Sequence, residues 1–337
     1  MPRNDGTQLS HEAVMFYGAR NLLTHVGNQY QDNSYNLIVI LGPTASGKTR
    51  IAARLAKDIC SEIVSADSRQ VYRGMDMGTG KDLEQYVVDG VSIPYHLIDI
   101  LHPNEEFSVF DYQNLFFRCF QEITSRNITP IMVGGTGLYI ESVLKRYHMP
   151  KVNKDPCLRK ELENNDMKTL VKRLSKAASV IHNTTDLLDR NRLIRAIEIA
   201  EYIKTHNHEY TSVPHITPLI VGIRRERAAL RRRITDRLRQ RLTSGMIDEV
   251  KDLHEAGVTW ERMDYFGLEY RYIGLYLQGK IRYNDMFQKL NSRIHQFAKR
   301  QETWFRKMER NGIHINWLDG DDYAALRELI HGLDKRG

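Results

Sequence analysis

The chain has 337 residues, a formal net charge of +7, and hydrophobic and charged fractions of 41% and 27%, which are ordinary for a soluble globular enzyme. No apolar run approaches the roughly 18 residues that a membrane span needs, so a membrane protein is disfavoured. The three cysteines have no paired spacing, which argues against a disulfide framework and a zinc site. We expect two domains, a reducing cytoplasm as the location, and a monomer.

Residues 1–35 precede the first predicted element. They lack the apolar stretch of a signal peptide, and Asp5, Glu12 and Asp32 fit poorly with a transit peptide, which is poor in acids. We predict an N-terminal extension, disordered in part.

Residues 37–49, LIVILGPTASGKT, predict a buried strand that runs into a phosphate-binding loop. Gly42, Gly47, Lys48 and Thr49 fill the spacing G-x-x-x-x-G-K-[ST]. Backbone N–H groups of such a loop surround phosphate oxygens, the lysine adds a positive charge, and the hydroxyl can hold Mg²⁺. Helical spacing of the apolar residues after the loop puts the phosphate at a helix N-terminus. Taken alone, the loop suggests ATP and phosphoryl transfer.

Three further strands are predicted at residues 62–66, 96–100 and 130–133, with helical stretches between them. This alternation predicts an open parallel sheet. Ligands of such sheets gather outside the carboxyl ends of the strands. Asp67 and Thr136 follow two of these strands, so we expect both to face one crevice together with the phosphate loop.

The pattern changes near residue 150, because residues 155–207 contain no strand-like run and their apolar residues follow helical spacing. A β-branched run at residues 217–223 returns the chain to the sheet, and a last strand is predicted at residues 313–318. The helical module is therefore predicted to be an insertion. The predicted divisions are an extension (1–35), a catalytic core (36–150 and 215–320), a helical insertion (151–214) and a C-terminal tail (321–337).

Positive charge is concentrated in two stretches. Residues 224–241 contain nine arginines, and residues 293–307 mix lysines and arginines with aromatic residues. Clustered charge of this kind supplies the phosphate-backbone part of nucleic-acid binding, although a solvated helix face gives the same pattern. Arg233 and Arg237 lie four residues apart and could point together at the crevice.

Several of these residues have a structural alternative. Asp67 could ligate a metal, act as a general base, or only cap a helix or a turn. Thr136 follows paired glycines that allow close approach of a ligand, but it could be a plain helix N-cap. Asp99, next to His96 and His102, suggests a metal site, but we favour a structural role because no clear ligand set surrounds it.

The motifs, in this order, resemble those of the tRNA dimethylallyltransferase family. The segments that carry the likeness are GPTASGKT (42–49), SADSRQVYRGMDMGT (65–79), PYHLIDI (94–100), VGGTGLY (133–139), DRNRLIR (189–195), RITDR (233–237), GMIDEV (245–250) and KRQETWFR (299–306). The resemblance implies an α/β fold with a P-loop NTPase-like parallel sheet core flanked by helices and an inserted all-helical domain. The zinc-finger extension of some eukaryotic relatives is absent, which implies the bacterial type.

The family transfers a dimethylallyl group from dimethylallyl diphosphate to N6 of the adenosine 3′-adjacent to the anticodon in tRNA. The resemblance implies that Asp67 accepts the amine proton, and that Thr136 and Arg237 stabilise the departing diphosphate. It implies a diphosphate site, with Mg²⁺ at Thr49, formed by Gly42, Pro43, Thr44, Ala45, Ser46, Gly47, Lys48 and Thr49. It implies tRNA contacts from Asp67, Ser68, Arg69, Gln70, Asn191, Arg192, Leu193, Ile194, Arg195, Thr136 and Arg159. The target adenosine would have to leave its stack.

Two segments depart from the family pattern. Gly80 stands before Lys81, where the family usually has alanine, and Glu269 stands where the family has the glycine of Gly-Tyr-Arg/Lys. Because of these departures, the resemblance does not settle which residues line the crevice or contact tRNA. The implied reaction is unaffected.

Three classes of function compete. The first is prenyl transfer to tRNA, the second is a small-molecule P-loop enzyme (a kinase, or an enzyme that prenylates free adenine nucleotides), and the third is an RNA-binding P-loop protein without catalysis. The basic helices and the helical insertion favour the first over the second, because a small acceptor needs neither. The joint presence of Lys48, Asp67 and Thr136 disfavours the third.

Overall fold

The structure, a computed structural model, describes residues 35–147, 149–177, 189–206, 213–320 and 322–334. The chain divides into two compact units, Met1–Arg146 with Pro214–Gly337, and Tyr147–Val213. The described part of the first unit contains the sheet, and that of the second unit is helical. The predicted N-terminal extension lies outside the described residues except for Tyr35, which is buried.

Six parallel strands form the sheet, namely β1 (Leu37–Leu41), β2 (Ile63–Ala66), β5 (Tyr95–His96), β6 (Ile131–Gly134), β7 (Pro218–Arg224) and β8 (Asn316–Asp319). A separate antiparallel hairpin consists of β3 (Val87–Val88) and β4 (Val91–Ser92). The spatial order in the sheet is β5-β2-β6-β1-β7-β8. Every residue of β1, β2 and β6 is buried, which their uncharged sequences permit.

The helices of the sheet unit are α1 (Lys48–Asp58), α2 (Val109–Thr124), α3 (Gly137–Leu144), α7 (Arg227–Thr243), α8 (Met246–Glu255), α9 (Trp260–Phe266), α10 (Leu268–Leu277), α11 (Tyr283–Arg310) and α12 (Tyr323–Asp334). The helical unit contains α4 (Pro156–Glu163), α5 (Met167–Ala177) and α6 (Arg190–Thr205). One apolar core is shared by the sheet, α1 and α12. A second apolar core is shared by the helices α7, α8, α9, α10 and α11. None of the helices in the described ranges combines the length and the apolarity that a bilayer crossing requires.

The predicted α/β class is confirmed, but two details of the prediction were wrong. The strand predicted at residues 96–100 ends at His96, because Leu97 and Asp99 have φ angles of 62° and 55°, which no extended strand accommodates. The segment 321–337, predicted as a tail, contains helix α12. Its Tyr323 and Leu326 are buried in the core beside the sheet, so the described part of this segment belongs to the fold.

Candidate active site

The carboxyl ends of β1, β2 and β6 are level with one another. Gly134 at the end of β6 is in register with Leu41 at the end of β1 and with Ala66 at the end of β2. Three segments therefore leave the sheet side by side: the phosphate loop after β1, the turn after β2 that begins at Asp67, and the turn after β6. This is the edge at which parallel sheets bind their ligands.

The turn after β2 presents a carboxylate. Oδ1 of Asp67 accepts the backbone N–H of Arg69 at 2.9 Å, while Oδ2 accepts no hydrogen bond from the described residues. The N–H of Ser68 donates to Oγ1 of Thr136 at 3.1 Å. Thr136 occupies the N-cap position of α3, but its hydroxyl does not cap that helix. Both residues thus have structural contacts, and Asp67 keeps one carboxylate oxygen available for chemistry.

Three arginines hold the phosphate loop from the side of β7 and α7. The contacts are Arg225 Nε with the Ser46 carbonyl (2.7 Å), Arg233 Nε with the Ala45 carbonyl (3.0 Å), and Arg237 Nη2 with the Thr44 hydroxyl. The structure therefore brings Arg233 and Arg237 to the same loop, as their spacing predicts. Arg225 was not among the predicted site residues.

Gln301, in the C-terminal half of α11, joins the phosphate loop to the turn after β6. Its Oε1 accepts the N–H of Thr44 at 2.8 Å, and its Nε2 donates to the carbonyl of Gly135 at 2.9 Å. A Cβ atom at Gly135 would lie 2.2 Å from Nε2, so this contact requires the glycine. Gln301 lies within the segment 299–306 that carries the family likeness, but spacing alone could not assign it a role because its partners are distant in sequence.

Positive charge is crowded around the loop. Burial, and secondarily the charge of Arg237, lower the pKa of Lys48 to about 8, although nearby carboxylates act in the opposite direction. Burial and the neighbouring Arg241 lower the pKa of Arg237 to about 10. Neighbouring positive charges repel one another, and an anion bound between them relieves this repulsion. The charges around the loop therefore favour binding of a phosphate-bearing ligand.

Both departures from the family pattern lie next to Arg241. Gly80 has a φ of 68°, and a Cβ atom there would lie 2.4 Å from the Arg241 guanidinium, so alanine would strain the backbone and displace that side chain. Glu269 lines one cavity with Arg237, Arg241 and a set of apolar residues, namely Ile234, Leu238, Met246 and Ile294. Burial raises the pKa of Glu269.

Two networks of polar contacts support the segment 72–81. Glu249, from the segment 245–250, accepts the backbone N–H groups of Asp76, Met77 and Gly78 (2.9, 2.6 and 3.0 Å). Lys81 is 1% exposed and its Nζ contacts the Tyr72 carbonyl (2.8 Å), Asp76 (2.6 Å) and Asp99. The structural interpretation of Asp99 is thereby supported, and no group of three or more metal-ligating side chains exists among the described residues.

The predicted tRNA-contact residues of the helical unit fall into three sets. Leu193 and Ile194 are buried in the core of that unit (0% and 4% exposed), so their side chains cannot contact RNA and the prediction is corrected for them. Arg159 and Arg195 both pair with the buried Glu198, at 2.7 and 3.1 Å. The side chains of Asn191 and Arg192 are exposed, and neither bonds to another described residue.

Comparison with known proteins shows the family of this chain. A family model described as IPP transferase matches residues 70–308, and one described as isopentenyl transferase matches residues 35–92. The chain is 58% identical to "tRNA dimethylallyltransferase 1" of Syntrophus aciditrophicus over 88% of this chain and 98% of that protein, and 57% identical to "tRNA dimethylallyltransferase 2" of Trichlorobacter lovleyi over 89% and 98%.

Two solved structures are also similar to this chain. The tRNA isopentenylpyrophosphate transferase of Bacillus halodurans has a TM-score of 0.65 and 35% identity, over 89% of this chain and 97% of that chain. A eukaryotic dimethylallyltransferase acting on tRNA has a TM-score of 0.70 and 25% identity, over 89% and 80%. The chain therefore belongs to the tRNA isopentenyltransferase family.

Proposed function

We propose that this protein transfers the dimethylallyl group of dimethylallyl diphosphate to N6 of the adenosine 3′-adjacent to the anticodon in tRNA. One observation carries the proposal. Lys48 and Arg237 lie at the phosphate loop that follows β1, and the end of β1 is level with the end of β2, after which Asp67 comes directly. This arrangement supplies an anion site and a proton acceptor at one edge of the sheet. The names of the relatives support tRNA as the acceptor.

In the proposed reaction, the N6 nitrogen attacks C1 of the dimethylallyl group. The new N–C bond forms as the C1–O bond breaks, and the diphosphate leaves with the bonding electron pair. Asp67 takes the proton that the amine loses, through the oxygen that accepts no hydrogen bond from the described residues. Lys48, Arg237 and the N–H groups of the loop stabilise the negative charge that develops on the diphosphate. Arg225 and Arg233 keep the loop in the shape that this requires.

The residues of the loop fit a magnesium ion that is bound together with the substrate. The hydroxyl of Thr49 makes no hydrogen bond to the described residues, and Oγ of Ser46 is buried with no hydrogen-bond partner among them. Thr49 would hold the ion jointly with diphosphate oxygens and water, since the described residues offer no all-protein ligand cluster. When bound, Mg²⁺ would neutralise part of the charge of the leaving group.

The reducing cytoplasm is the location that we propose for this reaction. Cys60, Cys119 and Cys157 are all free thiols, as is usual in that compartment. Unmodified tRNA is also available there.

Incubation with dimethylallyl diphosphate, Mg²⁺ and unmodified tRNA tests the proposal. Mass analysis of the nuclease digest should show one adenosine, the one 3′-adjacent to the anticodon, heavier by one dimethylallyl group. Parallel reactions contain free AMP, or ATP with AMP, in place of tRNA. Prenylation of free AMP alone would favour a small-molecule enzyme, and phosphoryl transfer from ATP would favour a kinase.

The affinity for dimethylallyl diphosphate is expected to fall as the pH rises through about 8. The pKa of Lys48 is about 8, so below this pH the side chain is an ammonium group that attracts the diphosphate, and above it the side chain is neutral. One linked proton limits the decline to about tenfold per pH unit. Titration calorimetry of the protein without tRNA, between about pH 7 and pH 9.5, measures the profile. Lys48→Met should bind more weakly with no decline over this range, whereas a flat profile for the unaltered protein would contradict the assignment.

Arg192→Ala is expected to weaken tRNA binding. The slope of the logarithm of the binding constant against the logarithm of the salt concentration should also decrease by about 1, the contribution of one phosphate contact. The guanidinium of Arg192 is exposed and bonds to none of the described residues, so its loss should not lower the melting temperature. Arg195→Ala is the matched comparison, because Arg195 pairs with Glu198 and donates to the Val152 carbonyl at 2.6 Å. That variant should lower the melting temperature. Filter binding at several salt concentrations measures the difference, and an unchanged salt slope for Arg192→Ala would remove Arg192 from the RNA surface.

A further inference from the structure

An exposed aromatic ring lies at the end of α9, and the chemistry described above does not use it. Tyr265 is 51% exposed, whereas the adjacent Phe266 is 5% exposed. Phe266 packs against the buried Tyr72 with ring centroids 4.9 Å apart, which attaches the end of α9 to the core. The buried ring therefore fixes the position from which the exposed ring projects.

Two arginines contact the ring of Tyr265. The guanidinium carbons of Arg69 and Arg262 lie 5.0 and 4.6 Å from its centroid, within the range of cation–π attraction. Both guanidinium groups are also held by backbone carbonyls, Arg69 by that of Tyr265 (3.0 Å) and Arg262 by that of Pro103 (2.6 Å). The two cations and the ring thus form a preorganised cluster.

The cluster is connected directly to the proposed catalytic carboxylate. The same Arg69 whose guanidinium contacts Tyr265 donates its backbone N–H to Oδ1 of Asp67. Arg69 thus links the turn that carries Asp67 to the ring of Tyr265.

We propose that Tyr265, with Arg69 and Arg262, is a stacking platform for the unpaired base next to the target adenosine, an inference that rests on the proposed function. Extrusion of the target base removes a stacking partner from its neighbours, and an exposed aromatic ring supplies a replacement face. The two guanidinium groups complement the phosphates on either side of that base. Their charge favours RNA over an apolar protein surface as the occupant of this position.

Tyr265→Ala tests the platform through direct binding of an unmodified tRNA transcript. The dissociation constant for tRNA is expected to rise by roughly 5- to 150-fold, the range for loss of one stacked base. Tyr265→Trp should restore the affinity, because it keeps an aromatic face. Affinity for dimethylallyl diphosphate and the melting temperature should be unchanged. Tyr283→Ala is the matched control, since Tyr283 is also exposed (43%) but lies at the start of α11.

Fluorescence locates the contact. Anticodon stem-loop RNAs carry 2-aminopurine at the position immediately before or after the target adenosine. One of the two bases should be quenched in the complex with the unaltered protein, and its fluorescence should increase with Tyr265→Ala but not with Tyr283→Ala.

Equal tRNA affinity of Tyr265→Ala and the unaltered protein would overturn the platform, as would a loss of affinity that Tyr265→Trp does not restore. A loss that is accompanied by a lower melting temperature would show that Tyr265 is structural. A different result would refute the proposed reaction. An unaltered protein that binds tRNA without prenylating it would refute the reaction, while these binding data would still decide the role of Tyr265.

Discussion

Asp67→Asn is expected to lower the rate of N6 prenylation by about 10²–10⁴-fold, the usual contribution of a positioned general base, while tRNA affinity stays unchanged. An asparagine at this position can still accept the Arg69 N–H through its Oδ1 atom, so the turn after β2 should keep its geometry. It cannot accept the proton of the attacking amine. Single-turnover kinetics with saturating dimethylallyl diphosphate measure the chemical step, and filter binding measures tRNA affinity.

Asp89→Asn serves as the control for this substitution. Asp89 is an exposed aspartate in the turn between β3 and β4, where it pairs with Lys57 at 2.5 Å. Its replacement should leave both the rate and the tRNA affinity unaltered. If Asp67→Asn prenylated tRNA at the normal rate, Asp67 would only stabilise the turn. If it lost tRNA affinity as well as rate, its role would be in binding rather than proton transfer.

The parts of this site that could be predicted from the sequence have local signals. An uncharged aliphatic run followed by the phosphate-loop spacing needs no information from elsewhere in the chain, and β1 and α1 follow it as predicted. The positions of Asp67 and Thr136 at strand ends were predictable for the same reason. Their closeness also depended on a general property of parallel sheets, since the carboxyl ends of such strands lie at one edge.

The remainder depends on contacts between distant segments. Gln301 reaches Thr44 across 257 residues of sequence, and Arg225 reaches Ser46 across 179, so no spacing within one segment reveals either contact. Asp99 looked like the end of a strand because the segment before it is apolar. Its backbone instead has a positive φ, and its carboxylate pairs with the buried Lys81.

Two further elements have a local signal in the sequence. The β3–β4 hairpin has Asp89 and Gly90 between two pairs of strand residues, and Asp-Gly is a strong hairpin turn. Helix α12 has Tyr323, Leu326 and Ile330 at helical spacing, and all three are buried. Both elements could therefore be predicted from local patterns alone.

Lys48→Ala is expected to lower the turnover number for prenylation by about 10²–10³-fold, equivalent to ~2.7–4 kcal/mol, the cost of removing one preorganised donor to a developing anion. The ammonium group of Lys48 lies within the phosphate loop, with its Nζ atom 3.4 Å from the Pro43 carbonyl. Its attraction strengthens as the C1–O bond breaks and negative charge accumulates on the diphosphate. The loss should therefore affect turnover as well as substrate affinity.

Lys57→Ala is the matched control, because Lys57 lies on the same helix but pairs with Asp89 at the surface. Steady-state kinetics with each substrate varied in turn should show no change for Lys57→Ala and no change in the KM for tRNA with either variant. A Lys48→Ala enzyme with a normal turnover number and only a raised KM for dimethylallyl diphosphate would mean that Lys48 binds the ground state and the leaving group equally. Leaving-group stabilisation would then rest on the neighbouring Arg237, whose guanidinium contacts the same loop through Thr44.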